Sequence, residues 1–71
     1  MSAIGQNIQM CRERVNMSQE ELALKARIGT GTIQRYESGE KIPDTQTLLK
    51  LATILDVPAS ELTMDHSSVN T

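Results

Sequence analysis

The apolar residues of this chain fall into short helical periods separated by polar breaks. Ile4, Ile8, Cys11 and Val15 recur at spacings of four, three and four, which sets one apolar stripe along a first helix of about three turns. In "NMSQEEL", Asn16 suits a chain reversal, Ser18 can cap a second helix starting at Gln19, and Glu21 is placed to complete a capping box. That helix turns Leu22, Ala23 and Ala26 inward, and "RIGTG" breaks its period within two turns. A third helix is predicted from Thr30 to Ser38, with Ile33 and Tyr36 on its inner face and Gly39 ending it. Thr30, Gly31, Thr32, Gln34 and Arg35 are left toward solvent or a partner.

Asp44 can cap a fourth helix whose buried stripe is Leu48, Leu51, Ala52 and Leu55, with Leu49 and Ile54 lying off it. Pro58 opens a last short helical piece, and Leu62 can close the core. "MDHSSVNT" has the polar, unpatterned composition of a frayed tail, so one domain is expected over 1–63 and a flexible tail over 64–71.

Composition narrows the picture. In 71 residues there is no Trp or Phe, and Tyr36 is the sole aromatic, so a small core must be built from aliphatic residues and methionine, a palette that favours packed helices. The single cysteine, Cys11, excludes an internal disulfide, lies on the apolar stripe and reads as core. With His66 the only histidine, no cluster has metal-ligand spacing, and neither a metal nor another cofactor is expected. The chain opens without a charged-then-apolar leader and has no apolar run near the ~20 residues that span a membrane, so a soluble, cytoplasmic protein with no membrane partner is expected.

Net charge is −2, unevenly spread: residues 1–42 carry six Lys/Arg against five Asp/Glu, and residues 43–71 one against four. The total argues against a nonspecific nucleic-acid coat protein, but phosphate contact depends on where cations lie locally.

"GTGTIQRYESG" invites two readings. A phosphate-cradling loop needs a preceding buried strand and, in its Walker form, a Gly-Lys-Ser/Thr ending, and the sequence offers neither. One Cys, one His and scattered carboxylates supply no nucleophile with an adjacent base, so no enzyme is expected. The other reading is the leading edge of a helix built to touch something. Two short helices joined by a tight turn, the second with small and polar side chains outward, form the helix-turn-helix arrangement.

The wording of the chain then adds a resemblance. "MSQEELALKA", "TIQRYESGEKIPD" and "TLLKLATILDVPASEL", in this order, resemble the Xre/Cro-type, lambda-repressor-like helix-turn-helix family from about Ile4 to Leu62. The resemblance implies an all-α, five-helix DNA-binding domain, with Gln19–Ala26 across the phosphate backbone and Thr30–Ser38 in the major groove. By position it puts Thr30, Gly31 and Arg35 at base edges, and Gln19, Thr32, Ser38 and Lys41 at phosphates or the groove edge. Backbone N–H groups opening the second helix form an anion site to which Gln19 can add its side-chain amide.

Two departures from the family pattern matter. Arg27 stands where many members have glycine, so it must accept a left-handed conformation or adjust the turn, and it gains a possible phosphate contact in exchange. Gly31 sits at a base-reading position without a side chain, so direct readout leans on Thr30, Arg35 and DNA shape. Gly31 is expected to let the backbone approach the groove closely; the bland alternative is that it only weakens the helix.

Arg12 and Glu37 stand where the family pairs an arginine of the first helix with a glutamate late in the third, a structural ion pair. The implied function is a transcriptional regulator that binds a near-palindromic site on double-stranded DNA as a homodimer. Leu49, Ile54, Ala59 and Leu62 are candidates for the dimer seam, with ordinary surface exposure the other reading for Leu49. The rival function is a protein-interaction module of the same fold, such as an antitoxin or adaptor using the acidic C-terminal part.

Overall fold

The computed structural model describes residues 3–64. Five helices run through them: α1 Ile4–Arg14, α2 Gln19–Ala26, α3 Thr30–Ser38, α4 Thr45–Leu55 and α5 Ala59–Thr63. No strand occurs among the described residues, and no helix there is long and apolar enough to cross a membrane.

Local chemistry sets the ends. Ser18 Oγ accepts the Glu21 N–H at 3.0 Å and Asp44 Oδ1 accepts the Thr47 N–H at 2.8 Å, each satisfying a donor that the first helical turn leaves unpaired. Asn16, Arg27 and Asp56 take positive φ (59°, 59° and 61°) where the chain reverses, and Gly39 does so at 86° after α3. The turn after α1 is therefore made by Asn16, a residue whose short polar side chain tolerates the left-handed region.

The Asp44 cap carries a pH signature. Hydrogen bonds from the Thr47 side chain and N–H hold its carboxyl below the ordinary carboxylate value. A depressed folded-state pKa means the stabilisation is complete above the unfolded value of about 3.9 and is lost as pH falls through the lower folded value. Thermal melts across the acidic range are expected to show Asp44→Asn less stable than the wild type at neutral pH, with the gap narrowing as pH drops below the carboxylate range. A gap that stayed constant with pH would remove the charged cap from the account.

Packing follows the apolar periods. α1 lies on α3, α4 and α5, α2 on α3 and α4, and α4 on α5. Ile8, Leu22, Ile33, Leu51, Leu55 and Leu62 fill the centre with essentially no exposure. Burial pushes the Cys11 thiol pKa up, so this core cysteine is kept as the unreactive thiol.

Two expectations change. Val15 is 46% exposed, because α1 ends at Arg14 and Val15 belongs to the turn; Met17, beyond the reversal, packs on the core. Leu62 is fully buried within its own subunit, so it cannot face a second copy, and it leaves the dimer candidates. The tail expected over 64–71 lies, apart from the exposed Met64, outside the described residues.

α1 also buries residues that no apolar stripe marks. Gly5 sits against the end of α3, where a Cβ would overlap the Tyr36 carbonyl oxygen and stand 2.8 Å from that of Glu37. Asn7 is buried and its Nδ2 donates to the carbonyls of Leu62 at 2.8 Å and Met64 at 2.6 Å, tying the end of α5 to α1. Among the described residues its Oδ1 has no hydrogen-bond partner.

Candidate nucleic-acid interface

The turn between α2 and α3 is closed mostly by backbone. Arg27 takes the left-handed conformation (φ 59°, ψ 43°), so of the two options open to a residue replacing glycine there, the chain accepts the strained one. The Ile28 N–H then donates to the Ala23 carbonyl at 2.9 Å, and Lys50 reaches over from α4 to give its Nζ to the Ala26 carbonyl at 3.1 Å. A cation on the last carbonyls of α2 opposes the negative end of the helix dipole. The Arg27 side chain itself is exposed.

α3 is held from behind by few groups. Ile33 and Tyr36 are its buried residues, while Gly31, Gln34, Arg35 and Ser38 are exposed and Thr30 and Thr32 are half-buried. At 100° per residue, Gly31, Gln34, Arg35 and Ser38 cluster about the direction opposite the core, whereas Thr30 and Thr32 flank it. Among the described residues, apart from its chain neighbours and the backbone of its own helix, nothing lies within 4 Å of the place a Gly31 Cβ would occupy, so the front of the helix is clear there. Among the described residues the Arg35 guanidinium makes no ion pair. The hydroxyl of Ser38 is committed locally, donating to the Arg35 carbonyl at 3.1 Å and accepting the Glu40 N–H at 3.4 Å. Lys41 follows with an exposed side chain, its own N–H anchored to the Arg35 carbonyl at 3.1 Å.

The angle of α3 is fixed by a charged cluster. Arg12 Nε donates to Glu37 Oε2 at 2.7 Å and its Nη2 donates to Oε1 at 3.1 Å, a bidentate pair between side chains only 11% and 5% exposed. The remaining Arg12 Nη1 donates to the Met17 carbonyl at 2.7 Å. The hydrogen bond to Glu37 pushes the Arg12 pKa above its ordinary value, so the group is charged at every working pH. Gln19 donates its Nε2 to Glu37 Oε1 at 2.9 Å. The side-chain amide expected to serve a phosphate is therefore drawn inward, because a buried carboxylate needs more donors than one guanidinium supplies.

Where α1, α4 and α5 meet, an open groove of about 320 Å³ runs among Ile4, Pro43, Leu48, Leu49 and Ala59. Leu49 is 52% exposed, and Ile54 and Ala59 are half-buried. Sequence reasoning passed over Gly5, Asn7 and Lys50. None follows an apolar period, and their partners lie on other helices, so the local pattern held no signal for them.

Residues 8–62 match the model of a family described as Helix-turn-helix. The HTH-type transcriptional regulator ImmR of Bacillus subtilis is 33% identical over 60 residues, covering 84% of this chain and 47% of that protein, so the chain spans about half the length of this relative. Among solved structures, the restriction-modification controller protein C.AhdI of Aeromonas hydrophila superposes with a TM-score of 0.81 at 31% identity over 86% of this chain and 92% of the other. The biofilm regulator SinR, from Bacillus subtilis, in complex with DNA gives 0.79 at 33% identity over 83% and 95%.

Proposed function

The chain belongs to the Xre/Cro-type family of DNA-binding helix-turn-helix transcriptional regulators, and on that premise we propose that it binds a near-palindromic operator as a homodimer, with α3 in the major groove. One observation carries the reading: α3 buries Ile33 and Tyr36 and turns an exposed ridge of small and polar residues away from the core. α2 would cross the phosphate backbone, where its opening N–H groups offer an anion site. Thr30, Gly31 and Arg35 would meet base edges. Arg27, Thr32, Ser38 and Lys41 would meet phosphates or the groove edge, with Gln19 contributing beside them.

Pairing follows from the size of one recognition helix. A single helix of this length gives few base contacts, whereas two set about 34 Å apart read both halves of a palindrome in successive grooves. Leu49, Ile54 and Ala59 supply accessible apolar surface for the seam, two of them lining the groove near α5. The regulator would act in the cytoplasm and without catalysis, by occupying DNA.

Selection of bound oligonucleotides from a random pool tests binding, palindromy and half-site spacing together. An enriched palindrome whose affinity falls with salt is expected, since Arg27, Arg35 and Lys41 would displace condensed counterions. A chain that enriches no sequence, or binds indifferently to ionic strength, would favour a protein-interaction module of the same fold.

Arg35 makes the sharpest single claim. A guanidinium on the groove side can donate two hydrogen bonds to guanine O6 and N7, worth about 1–3 kcal/mol of discrimination, while on a phosphate it adds affinity without preference. Arg35→Ala is expected to relax base choice at one position in each half-site, read by competition against single-base operator variants. A uniform loss across those variants would place Arg35 on a phosphate.

A further inference from the structure

Gly31 leaves the exposed ridge of α3 with little to read bases beyond Arg35, and Ser38 has already spent its hydroxyl on the helix end. The remaining long polar side chain on that ridge is Gln34, which is exposed and stands three residues, about one turn, from the open slot at Gly31. It is not a free-swinging group. Its Nε2 meets Gln19 Oε1 at 3.5 Å, a long contact that ends a chain of four side chains starting in the core.

The direction of that chain follows from donor and acceptor identities. Arg12 is a donor only, and it saturates one side of the Glu37 carboxylate at 2.7 and 3.1 Å. Glu37 accepts only, so Gln19 must present its nitrogen to it, as the 2.9 Å contact records. The Gln19 oxygen is thereby turned outward, and only a donor can approach it. Gln34 answers with its nitrogen, and the orientation of its amide is set by groups buried two residues back in the chain.

We infer that Gln34 is a base-reading residue for adenine, with Gln19 as the positioning residue that presents it. An amide nitrogen carries two hydrogens. With the hydrogen trans to Oε1 given to Gln19, the other lies on the same edge as Oε1, leaving a donor and an acceptor side by side. Adenine displays the matching pair in the major groove, the N7 acceptor and the N6 amino donor. Because Arg12 and Glu37, both nearly buried, anchor Gln19, its outward-facing oxygen biases the Gln34 amide before DNA arrives, and less freedom is lost on binding. The inference rests on the reading of α3 as the groove-facing helix.

The test uses the full chain and the oligonucleotide it selects from a random pool, assayed against single-base variants and against 7-deazaadenine, which keeps base pairing but lacks the N7 acceptor. For the wild type, roughly tenfold weaker binding is expected when one adenine per half-site is replaced by guanine or by 7-deazaadenine. Gln34→Ala should bind all of these alike while keeping the preference that Arg35 gives elsewhere. Gln19→Ala should blunt the same adenine preference in part and leave the Arg35 position unchanged, which a merely structural role would not do. Gln34→Ala retaining the full adenine preference, or losing affinity equally across the panel, would overturn the inference while leaving DNA recognition intact. A wild type that enriches no sequence would overturn both.

Discussion

Gly5→Ala is expected to lower the melting temperature by about 12–24 °C. The added Cβ would overlap the Tyr36 carbonyl oxygen and press on that of Glu37, backbone atoms at the end of α3 that cannot rotate away as a side chain would. Either α1 lifts off α3 or the last turn of α3 deforms. Overpacking costs about 1–3 kcal/mol where side chains absorb it, and a backbone contact belongs at the upper end. In a domain of this length, with about 4–8 °C per kcal/mol, that upper end gives the stated range. Because Glu37 sits at the strained point, the proposed DNA binding of the surviving folded protein should also weaken by more than its melting curve alone accounts for. A melting temperature within a few degrees of wild type would mean that the two helices are not packed backbone to backbone.

Breaking the Arg12–Glu37 pair is the second large expectation, and its asymmetry is informative. Removing one partner of a buried pair costs about 3–5 kcal/mol, since the other is left charged and unmatched. Total stability for a chain of this size is only about 4–11 kcal/mol, so either single variant consumes a substantial part of it. Arg12→Ala should be the worse. It leaves a carboxylate 5% exposed with Gln19 as its remaining side-chain donor, whereas Glu37→Ala leaves a guanidinium that keeps the Met17 carbonyl and has Glu13 at 4.0 Å. The double variant should lose less than the sum, with an interaction of at least about 0.5 kcal/mol in a denaturation cycle. Strict additivity would make the two residues independent charges and would weaken the positional reading of α3.

The rival reading, an interaction module with an acidic surface, differs in what these variants would spoil. If α3 serves DNA, losing the Arg12 anchor should erode base discrimination even at temperatures where the protein stays folded. If the acidic C-terminal half holds a protein partner, that partner's binding should track stability alone.

How much of this was legible beforehand depends on whether the cause was local. Helix positions were, because apolar spacing, Ser18 and Asp44 at the starts and Gly39 at the end of α3 act within a few residues; α3 runs over the predicted Thr30–Ser38, and the stripe of α4 is the buried one. The outward ridge of α3 was legible for the same reason, as a helix with its two core residues on one face turns the opposite face outward. Val15 was misplaced because a stripe cannot say where its helix stops, and the reversal at Asn16 came one residue too soon for it. Leu62 was assigned two incompatible roles, core and seam, and only packing against its own subunit could choose between them.

What the sequence determined alone is therefore the set of helices, their inner faces and the family, all of which rest on short-range periodicity and on word order along the chain. Tertiary structure decided the rest. That Gly5 must be glycine, that Asn7 ties off α5 and that Lys50 closes the α2 turn are facts about groups distant in sequence coming within bonding range. The direction of the Gln19 amide belongs with them. A glutamine at the start of a helix is locally free to face a phosphate, and it faces Glu37 here because a carboxylate carried in on α3 is buried beside it and draws the available donors.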